Sequence, residues 1–354
     1  MAELLSVATA VPEHRVTAAQ TKADLTASYP QAGARFARLV QASRIQTRYS
    51  TLPLTELRQL TTLDARNREH ARHAVTLAEQ VAKEGLRSAR IRPDQVSAII
   101  SACSTGHMMP SLEAHLINRV KLNPMCRRVP LSQLGCSGGV GAIGLAAELL
   151  AARPAGVVLT VSVELPSLSL PSAEPSVADV LASLQFGDGA AAAVFSSQHS
   201  ARGPEIVASQ SVLFRETTDC GGARFTEAGL RISPSTNLPH LICAQLPKTM
   251  RTFLEPHHLE PADISFWVVH PRSPQLLEAV GESLHLTDRQ LAPSRAVWEG
   301  YGNVVSASVF FILRHLQAFA PPADGDLGVM LALGAGVSCE MVLLRSCGWG
   351  KRGH

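Results

Sequence analysis

The chain has 354 residues, of which 46% are hydrophobic, 17% charged and 5% aromatic, and its formal net charge is +3. This composition is typical of a globular protein with a large core, and the length predicts two domains or one built from two similar halves. The basic residues form no block, so nucleic acid is not expected as a partner. We find no signal peptide, no apolar run of roughly 20 residues and no CxxC pair among the seven cysteines. We therefore expect a cytoplasmic protein with no membrane span and no metal site.

The predicted elements follow the same order twice along the chain. In the first half a helical segment, HAVTLAEQVAKEGLRSA, precedes IRPDQVSAIISAC at residues 91–103. In the second half PHLICAQLPKTMRTFLEPH precedes LEPADISFWVVHP at residues 259–271. Each of the two later segments carries proline and aspartate ahead of a short apolar run, a pattern that indicates a turn and a buried strand.

The elements that follow also correspond between the halves. A glycine-containing turn and helix come next, LGCSGGVGAIGLAAELLAA in one half and GYGNVVSASVFFILRHLQAF in the other. Each helix is followed by a strand, GVVLTVSVE or LGVMLALGAG, and by a last apolar segment, GAAAAVF or CEMVLLRS. A duplicated βαβα unit predicts an α/β protein with mostly parallel sheets covered on both faces. We assign the two halves to residues 1–200 and 201–354, with the two glycine-opened helices packed together.

Cys136, His270 and Asn303 are the candidate catalytic residues. Cys136 and Asn303 are 167 positions apart, so the repeat places both at the starts of the central helices, while His270 follows a buried strand. A helix N-terminus lowers the pKa of a thiol, and the glycines beside Cys136 leave room for a tight turn and a substrate. Histidine and asparagine supply the base and the oxyanion donor that acyl transfer requires. The alternatives are a core cysteine, a hydrogen-bonded histidine and a helix N-cap.

The sequence resembles the type III polyketide synthases, the chalcone synthase-like branch of the thiolase superfamily. The matching segments are LGCSGGVGAIGLA, VSVELPSLSL, LQFGDGAAAAVF, FWVVHPRSPQLL, YGNVVSASVFFIL and LGAGVSCEMVLLR, within residues 35–345. The resemblance implies a homodimer with the five-layered αβαβα thiolase fold. It implies that Cys136 carries the starter acyl group, while His270 and Asn303 hold malonyl-CoA as it decarboxylates to the enolate that attacks the acyl-Cys136 thioester. The substrates are then CoA thioesters, and no cofactor is expected.

The resemblance also implies a substrate pocket. Phe186 matches the family's gatekeeper phenylalanine between the CoA tunnel and the cavity, and Ile232 lies where plant members often have a second phenylalanine. Met109 matches the residue that crosses the dimer interface to wall the partner's cavity. The remaining residues expected to line the pocket are Ser104, Pro166, Ser169 and Val305.

Two arginines match CoA-binding positions of the family. Arg35 and Arg38 correspond to two of its three basic residues and can pair with CoA phosphates, while the third position is Ala42. The alternative is that both arginines lie on the solvated face of a helix.

The pocket residues suggest the class of starter. Ile232, Val305 and Pro166 make the expected cavity apolar, and GHMMPSLEAHLINRV and VELPSLSL look like bacterial alkylpyrone and alkylresorcinol synthases. We therefore expect a fatty acyl starter on CoA or on an acyl carrier protein, malonyl-CoA as extender, and an alkylpyrone or alkylresorcinol as product. The alternatives are a ketoacyl-ACP synthase III-like enzyme that condenses once, suggested by LGAG, and an inactive lipid-binding protein.

Overall fold

The structure is a computed structural model that describes residues 1–28, 33–170, 177–198, 203–227, 229–233 and 237–349, with side chains for all of these except 28, 33–37 and 177. The strands within this part of the chain are β1 Ala2–Ala10, β2 His14–Thr17, β3 Thr47–Ser50, β4 Ala98–Ala102, β5 Arg127–Leu131, β6 Val157–Glu164, β7 Gly189–Ser196, β8 Glu205–Leu213, β9 Gly222–Thr226, β10 Gly229–Ser233, β11 Phe266–Val269, β12 Leu327–Leu333 and β13 Ser338–Arg345. The helices are α1 Ala18–Ser28, α2 Gly33–Ser43, α3 Leu54–Leu57, α4 Leu63–Ala89, α5 Leu112–Val120, α6 Gly138–Ala152, α7 Pro166–Ser169, α8 Val177–Gln185, α9 Leu238–Leu254, α10 Pro274–Leu284, α11 Asp288–Tyr301 and α12 Ser308–Phe319.

Nine of these strands form one sheet in the order β11-β12-β13-β8-β1-β7-β6-β4-β5. Its two sides have the same pairing pattern, because β4–β6–β7–β1 and β11–β12–β13–β8 each run parallel, antiparallel and antiparallel. The two sides meet where β1 pairs with β8 over Ala2↔Ile206 and Glu3↔Glu205. The duplication seen in the sequence is therefore present in the fold. The boundary placed at residue 200 lies outside the described residues.

The expectation of mostly parallel strands is wrong. Five of the eight pairings in the described sheet are antiparallel, and three are parallel. The connection between β12 and β13 shows the reason, since β12 ends at Leu333 and β13 begins at Ser338. A connection this short reverses the chain, whereas parallel neighbours require a longer crossover.

Side chains on the alternating faces of the strands pack into three hydrophobic clusters. In each cluster a layer of helices packs on strands of the sheet, which gives five layers in all. Helices α6 and α12 fill the central layer, between the inward faces of both sides of the sheet. The opposite face of the first side packs on α4 and α5, and that of the second side packs on α9 and α10. The order of layers is thus αβαβα. Each strand contributes to two clusters because its successive side chains point to opposite faces of the sheet.

The two central helices touch through small residues, as expected. A Cβ atom on Gly139 would clash with the carbonyl of Ser306 and lie 2.9 Å from Cγ2 of Val309. The expected equivalence of Cys136 and Asn303 is wrong by three residues. The short turns that open α6 and α12 are Gly135–Ser137 and Val305–Ala307, so the counterpart of Cys136 is Ser306. Asn303 lies ahead of its turn, where a side chain can face the neighbouring helix start.

One segment of the described chain, Gly135–Ala152, is long and apolar enough to cross a membrane by length and composition. It contains α6, the central helix, and 56% of it is buried inside the protein. Its apolar character is therefore that of a core helix packed between two sheet faces. Among the described residues no group of three or more His, Cys, Asp and Glu side chains is arranged to hold a metal ion.

Candidate active site

Cys136 lies in a tight turn between the end of β5 and α6. Gly135 has a φ of 55°, in the left-handed region that glycine adopts without a steric penalty, and its N–H donates to Oγ of Ser104 at 3.0 Å. The hydroxyl of Ser137 donates to the Leu134 carbonyl at 2.9 Å and lies 2.9 Å from Oγ of Ser338. These contacts hold the turn from both halves of the fold. The Cys136 side chain itself is only partly buried.

The carboxamide of Asn303 is oriented towards Cys136. Its Oδ1 accepts the N–H of Val305 at 2.8 Å, so its Nδ2 group faces Sγ of Cys136 at 3.9 Å. The backbone is held by the loop that carries Phe186, because Asn303 N–H donates to Gln185 at 2.7 Å and its carbonyl accepts from Gly187 at 3.0 Å. An amide donor therefore points to the place where negative charge develops on a thioester bound at the sulfur.

His270 follows β11 and is buried beside the same turn. Its Nε2 lies 3.0 Å from the carbonyl of Val305, which can only accept, so Nε2 carries the proton and Nδ1 holds the lone pair. Nδ1 has no hydrogen-bond partner among the described residues. Burial and then the charge of Arg272 lower the pKa of His270 to about 4, so the imidazole is neutral at neutral pH. The structure contains no hydrogen bond between His270 and Cys136.

The thiol of Cys136 has a pKa above its ordinary value in the free protein. Burial raises the pKa, and the positive charge of Arg272 followed by the amide of Asn303 lowers it less than burial raises it. The backbone N–H at the start of the helix also lowers the pKa, in the direction expected, but desolvation of the thiolate exceeds all of these favourable contacts.

A cavity of about 450 Å³ opens beside Cys136 and Asn303. The residues expected there that line it are Ser104, Pro166, Phe186, Ile232 and Val305. Its other walls are mostly apolar and include Leu170, Leu181, Leu230, Leu238 and Leu276. His270 does not line this cavity but a small adjoining one, which shares Leu238 and Leu276 with it. The larger cavity therefore exposes the thiol and the amide, and the imidazole lies beside it.

Two of the expected pocket residues lie elsewhere. Ser169 is buried, and its hydroxyl donates to the Thr105 carbonyl and lies 3.3 Å from the Leu165 carbonyl, so it is not a lining residue and the expectation is corrected. The hydroxyl turns away because these carbonyls satisfy it inside α7 and its neighbouring loop. Met109 is 100% exposed and does not line the cavity of its own chain. Its placement against a partner's cavity stays a prediction.

The two candidate CoA-binding arginines lie on α2. Arg38 is exposed, and the side chain of Arg35 lies outside the described residues. An exposed arginine on an amphipathic helix is consistent with either a phosphate ligand or a solvated helix face, so the assignment stays a prediction for both.

The sequence reasoning did not single out Glu164, the last residue of β6. Its carboxylate accepts from the N–H of Ser104 at 3.0 Å, from Oγ1 of Thr105 at 2.9 Å and from Oγ of Ser306 at 2.6 Å. It thereby joins the loop after β4 to the turn that opens α12. Burial raises the pKa of Glu164 to about 7. The signal that could have identified it is an acidic residue at the end of an apolar strand, inside the segment VSVELPSLSL.

Glu164→Gln is expected to remove a pH-dependent loss of stability. The folded protein favours the protonated acid, so the unfolding free energy of the wild type decreases as pH rises from 4.5 to about 7, by up to ~3 kcal/mol at 1.36 kcal/mol per pKa unit. Urea unfolding of both proteins across this range measures the difference. Glu278→Gln, at a partly exposed side chain, is the control and should keep the wild-type profile. Equal pH profiles for Glu164→Gln and wild type would contradict the assignment.

Comparisons with known proteins agree with this fold. The family described as FAE1/Type III polyketide synthase-like protein matches residues 12–216, and that described as Chalcone and stilbene synthases, C-terminal domain, matches residues 205–348. A 1,3,6,8-tetrahydroxynaphthalene synthase of Streptomyces peucetius subsp. caesius is 33% identical over 347 residues, 96% of this chain and 92% of that protein. The alpha-pyrone synthesis polyketide synthase-like Pks18 of Mycobacterium tuberculosis is 30% identical over 321 residues, 87% of this chain and 81% of that protein.

The fold is also that of a solved structure. The crystal structure of 1,3,6,8-tetrahydroxynaphthalene synthase from Streptomyces coelicolor A3(2), a bacterial type III polyketide synthase, superposes with a TM-score of 0.92 at 27% identity, over 98% of this chain and 99% of that chain. Five αβαβα layers, with a cysteine in the turn that opens the central helix, define a thiolase-fold acyltransferase. The chain belongs to the type III polyketide synthases, acyltransferases that extend an acyl chain by Claisen condensation.

Proposed function

We propose that Cys136 is the nucleophile that carries the acyl chain, and that Asn303 and His270 act on the extender, which we propose is malonyl-CoA. The single observation that carries the proposal is the orientation of Asn303, whose Nδ2 faces Cys136 Sγ at 3.9 Å while its Oδ1 is held by Val305. A donor fixed in this way stabilises the thioester enolate formed on loss of CO₂. The neutral His270 can donate to the same oxygen from its buried position once a substrate displaces its contact with Val305.

The Cys136 thiol is acylated and then regenerated in each condensation cycle. The Cys136 thiolate attacks the starter thioester, forms the acyl-cysteine bond and releases CoA as its thiolate. Loss of CO₂ from the malonyl thioester leaves the C–C electron pair as an enolate. This enolate attacks the acyl carbonyl and expels Cys136 as thiolate, so the nucleophile is regenerated for the next cycle. Because the chain belongs to this family, we do not retain the two alternatives raised by the sequence, the single-condensation enzyme and the inactive lipid-binding protein.

We propose that the starter is a fatty acyl thioester and the product an alkylpyrone or alkylresorcinol. The support is the lining of the 450 Å³ cavity, in which Ile232, Leu230, Leu238 and other aliphatic side chains surround the space beside Cys136. Apolar walls favour a long alkyl chain through burial of its methylene groups, each contributing about 0.8 kcal/mol. Burying the polar groups of a hydroxylated aromatic starter against these aliphatic side chains costs free energy.

A panel of starters is expected to show this preference. With malonyl-CoA as extender, octanoyl-CoA to palmitoyl-CoA should give higher kcat/KM than acetyl-CoA or an aromatic acyl-CoA, with products identified by mass spectrometry. Ile232→Phe should shift the optimum to shorter chains, because the larger side chain fills part of the cavity. Leu213→Phe, at an exposed position outside the cavity, is the control. Turnover of short or aromatic starters alone, or of malonyl-CoA alone, would contradict the proposal.

The starter can reach the enzyme on CoA or on an acyl carrier protein. Comparing acyl-CoA with acyl carrier protein substrates at equal concentration distinguishes the two carriers.

We propose a homodimer in the cytoplasm, and the fully exposed Met109 supports a surface that a second copy covers. Light scattering should give twice the mass of one chain, and a monomeric active enzyme would contradict the dimer.

A further inference from the structure

Helix α8 separates the catalytic cavity from a second, smaller cavity. The residues on one face of the helix line the 450 Å³ cavity and are Ala178, Leu181, Ala182 and Gln185. Asp179, Val180 and Ser183 lie on the opposite face and line a cavity of about 100 Å³, while Phe186, directly after the helix, borders both cavities. Atoms beside a cavity lack packing partners on that side and can relax into it. The position of α8 therefore depends on how its two ends are held.

The C-terminal end of α8 is held by backbone hydrogen bonds to the loop of Asn303. The Asn303 N–H donates to the Gln185 carbonyl at 2.7 Å, and the Gly187 N–H donates to the Asn303 carbonyl at 3.0 Å. Phe186 and Asn303 also form an isolated parallel bridge. This end of the helix is therefore fixed to the catalytic residues by the main chain.

The N-terminal end of α8 is joined to β10 by an ion pair between side chains. Nη1 of Arg231 donates to Oδ2 of Asp179 at 2.8 Å. The Asp179 side chain is 1% exposed and that of Arg231 is 28% exposed. A carboxylate this deeply buried has lost its hydration, so its separation from the cation is unfavourable. The pair therefore resists any movement of α8 away from β10.

The strand that carries Arg231 forms another wall of the catalytic cavity. Leu230 and Ile232 line the cavity, so Arg231 lies on the other face of β10. In the described part of the chain, β9 and β10 pair only with each other, in a two-stranded sheet apart from the nine-stranded one. No ladder to the main sheet fixes this hairpin, so contacts between side chains determine how far β10 lies from α8.

We propose that the Arg231–Asp179 ion pair sets the separation of α8 and β10, and thereby the longest acyl starter that the catalytic cavity accepts. Both are positioning residues, because they act through Ile232 and the α8 side chains that face the substrate. When the pair is broken, α8 relaxes into the 100 Å³ cavity behind it, and the catalytic cavity widens. The backbone bonds of Asn303 remain, so decarboxylation is not affected. The inference rests on the proposed function, in which an acyl starter occupies this cavity.

The test is a competition among starters in the full-length enzyme. An equimolar mixture of acyl-CoA thioesters from acetyl to arachidoyl is incubated with malonyl-CoA, and the products are quantified by mass spectrometry. The readout is the ratio of products from the starter two carbons longer than the wild-type optimum to products from the optimum itself. In Arg231→Met this ratio should rise about fourfold or more, the effect of burying roughly one more methylene group. Release of CO₂ from malonyl-CoA should stay near that of the wild type.

Further variants separate the ion pair from its two side chains. Arg231→Lys keeps the cation and should keep the wild-type ratio. Asp179→Asn and the double variant Asp179→Asn/Arg231→Met should each give the same change as Arg231→Met, because all three break one interaction. The double variant leaves no buried carboxylate without its cation, so it replaces Arg231→Met if that protein does not fold, as judged by thermal unfolding.

Arg58→Met is the matched control. It breaks another partly buried ion pair beside the 100 Å³ cavity, in which Nη2 of Arg58 lies 2.6 Å from Oδ2 of Asp24. Neither residue belongs to α8 or β10, so the ratio of products should not change. An equal rise in Arg58→Met would overturn the inference, since the effect would then not belong to the Arg231–Asp179 pair.

The remaining outcomes separate this inference from the proposed function. A ratio that is unchanged or lower in both Arg231→Met and the double variant would overturn the inference and leave the ion pair with a role in stability alone. A wild-type enzyme that uses only short starters would contradict the fatty acyl proposal. The ion pair would still be tested in that case, because the ratio is defined from the optimum that the wild type shows.

Discussion

Cys136→Ala is expected to abolish polyketide formation and to leave decarboxylation of malonyl-CoA measurable. The substitution removes the sulfur that accepts the acyl chain, whereas Asn303 and His270 remain to stabilise the enolate. Product formation is measured by mass spectrometry, and decarboxylation by release of labelled CO₂. The two readouts separate loading of the chain from activation of the extender.

Cys220→Ala is the matched control for this experiment. Cys220 is partly buried like Cys136, but it lies outside the cavity and packs beside the cluster under α9 and α10. Its replacement should leave both activities near those of the wild type. Polyketide formation by Cys136→Ala at a wild-type rate would show that another group carries the chain.

Asn303→Asp is expected to lower the rate of decarboxylation by about 10² to 10³, the typical cost of removing one oxyanion donor. The aspartate keeps the oxygen that accepts from Val305, so the local backbone is retained, but it replaces the Nδ2 donor with a negative charge beside Cys136. That charge opposes both the enolate and the thiolate. Measuring CO₂ release in the Cys136→Ala background isolates the effect on the extender.

The control for Asn303→Asp is Asn118→Asp, at an exposed position on α5. It makes the same chemical change away from the cavity and should leave CO₂ release unchanged. If Asn303→Asp released CO₂ as fast as its parent, the amide would have no role at the extender. His270 would then be the donor to investigate.

Much of the fold could be predicted because its signals are local. The apolar run after Pro93 becomes β4, and that after Pro261 becomes β11. Side chains alternate between the two faces of a strand, and small side chains allow two helices to approach closely. Both features can therefore be predicted from the local sequence. Strand direction was predicted wrongly, since a hairpin and a crossover differ in where the chain goes next and not in the composition of the strand itself.

The candidate site was predicted in part. The glycine turn indicated Cys136, and the need for a donor and a base indicated Asn303 and His270. The alignment of the halves misplaced Asn303 by three residues, because the two turns open on residues as different as Gly135 and Val305, with φ values of 55° and 47°. A positive φ at a β-branched residue is unusual and leaves no sign in the sequence.

By itself, the sequence determined the duplicated architecture, the cysteine turn and the chemical types of the site residues, because these depend on local pattern and on functional groups. Only the tertiary structure decided which groups face one another. It places the Ser169 hydroxyl in a hydrogen bond to the Thr105 carbonyl, away from the cavity. It also directs the Asn303 amide at Cys136 and places Arg272 at the cavity wall. It also decided the pKa of Cys136 and His270, since desolvation depends on every atom packed around a group and not on its neighbours along the chain.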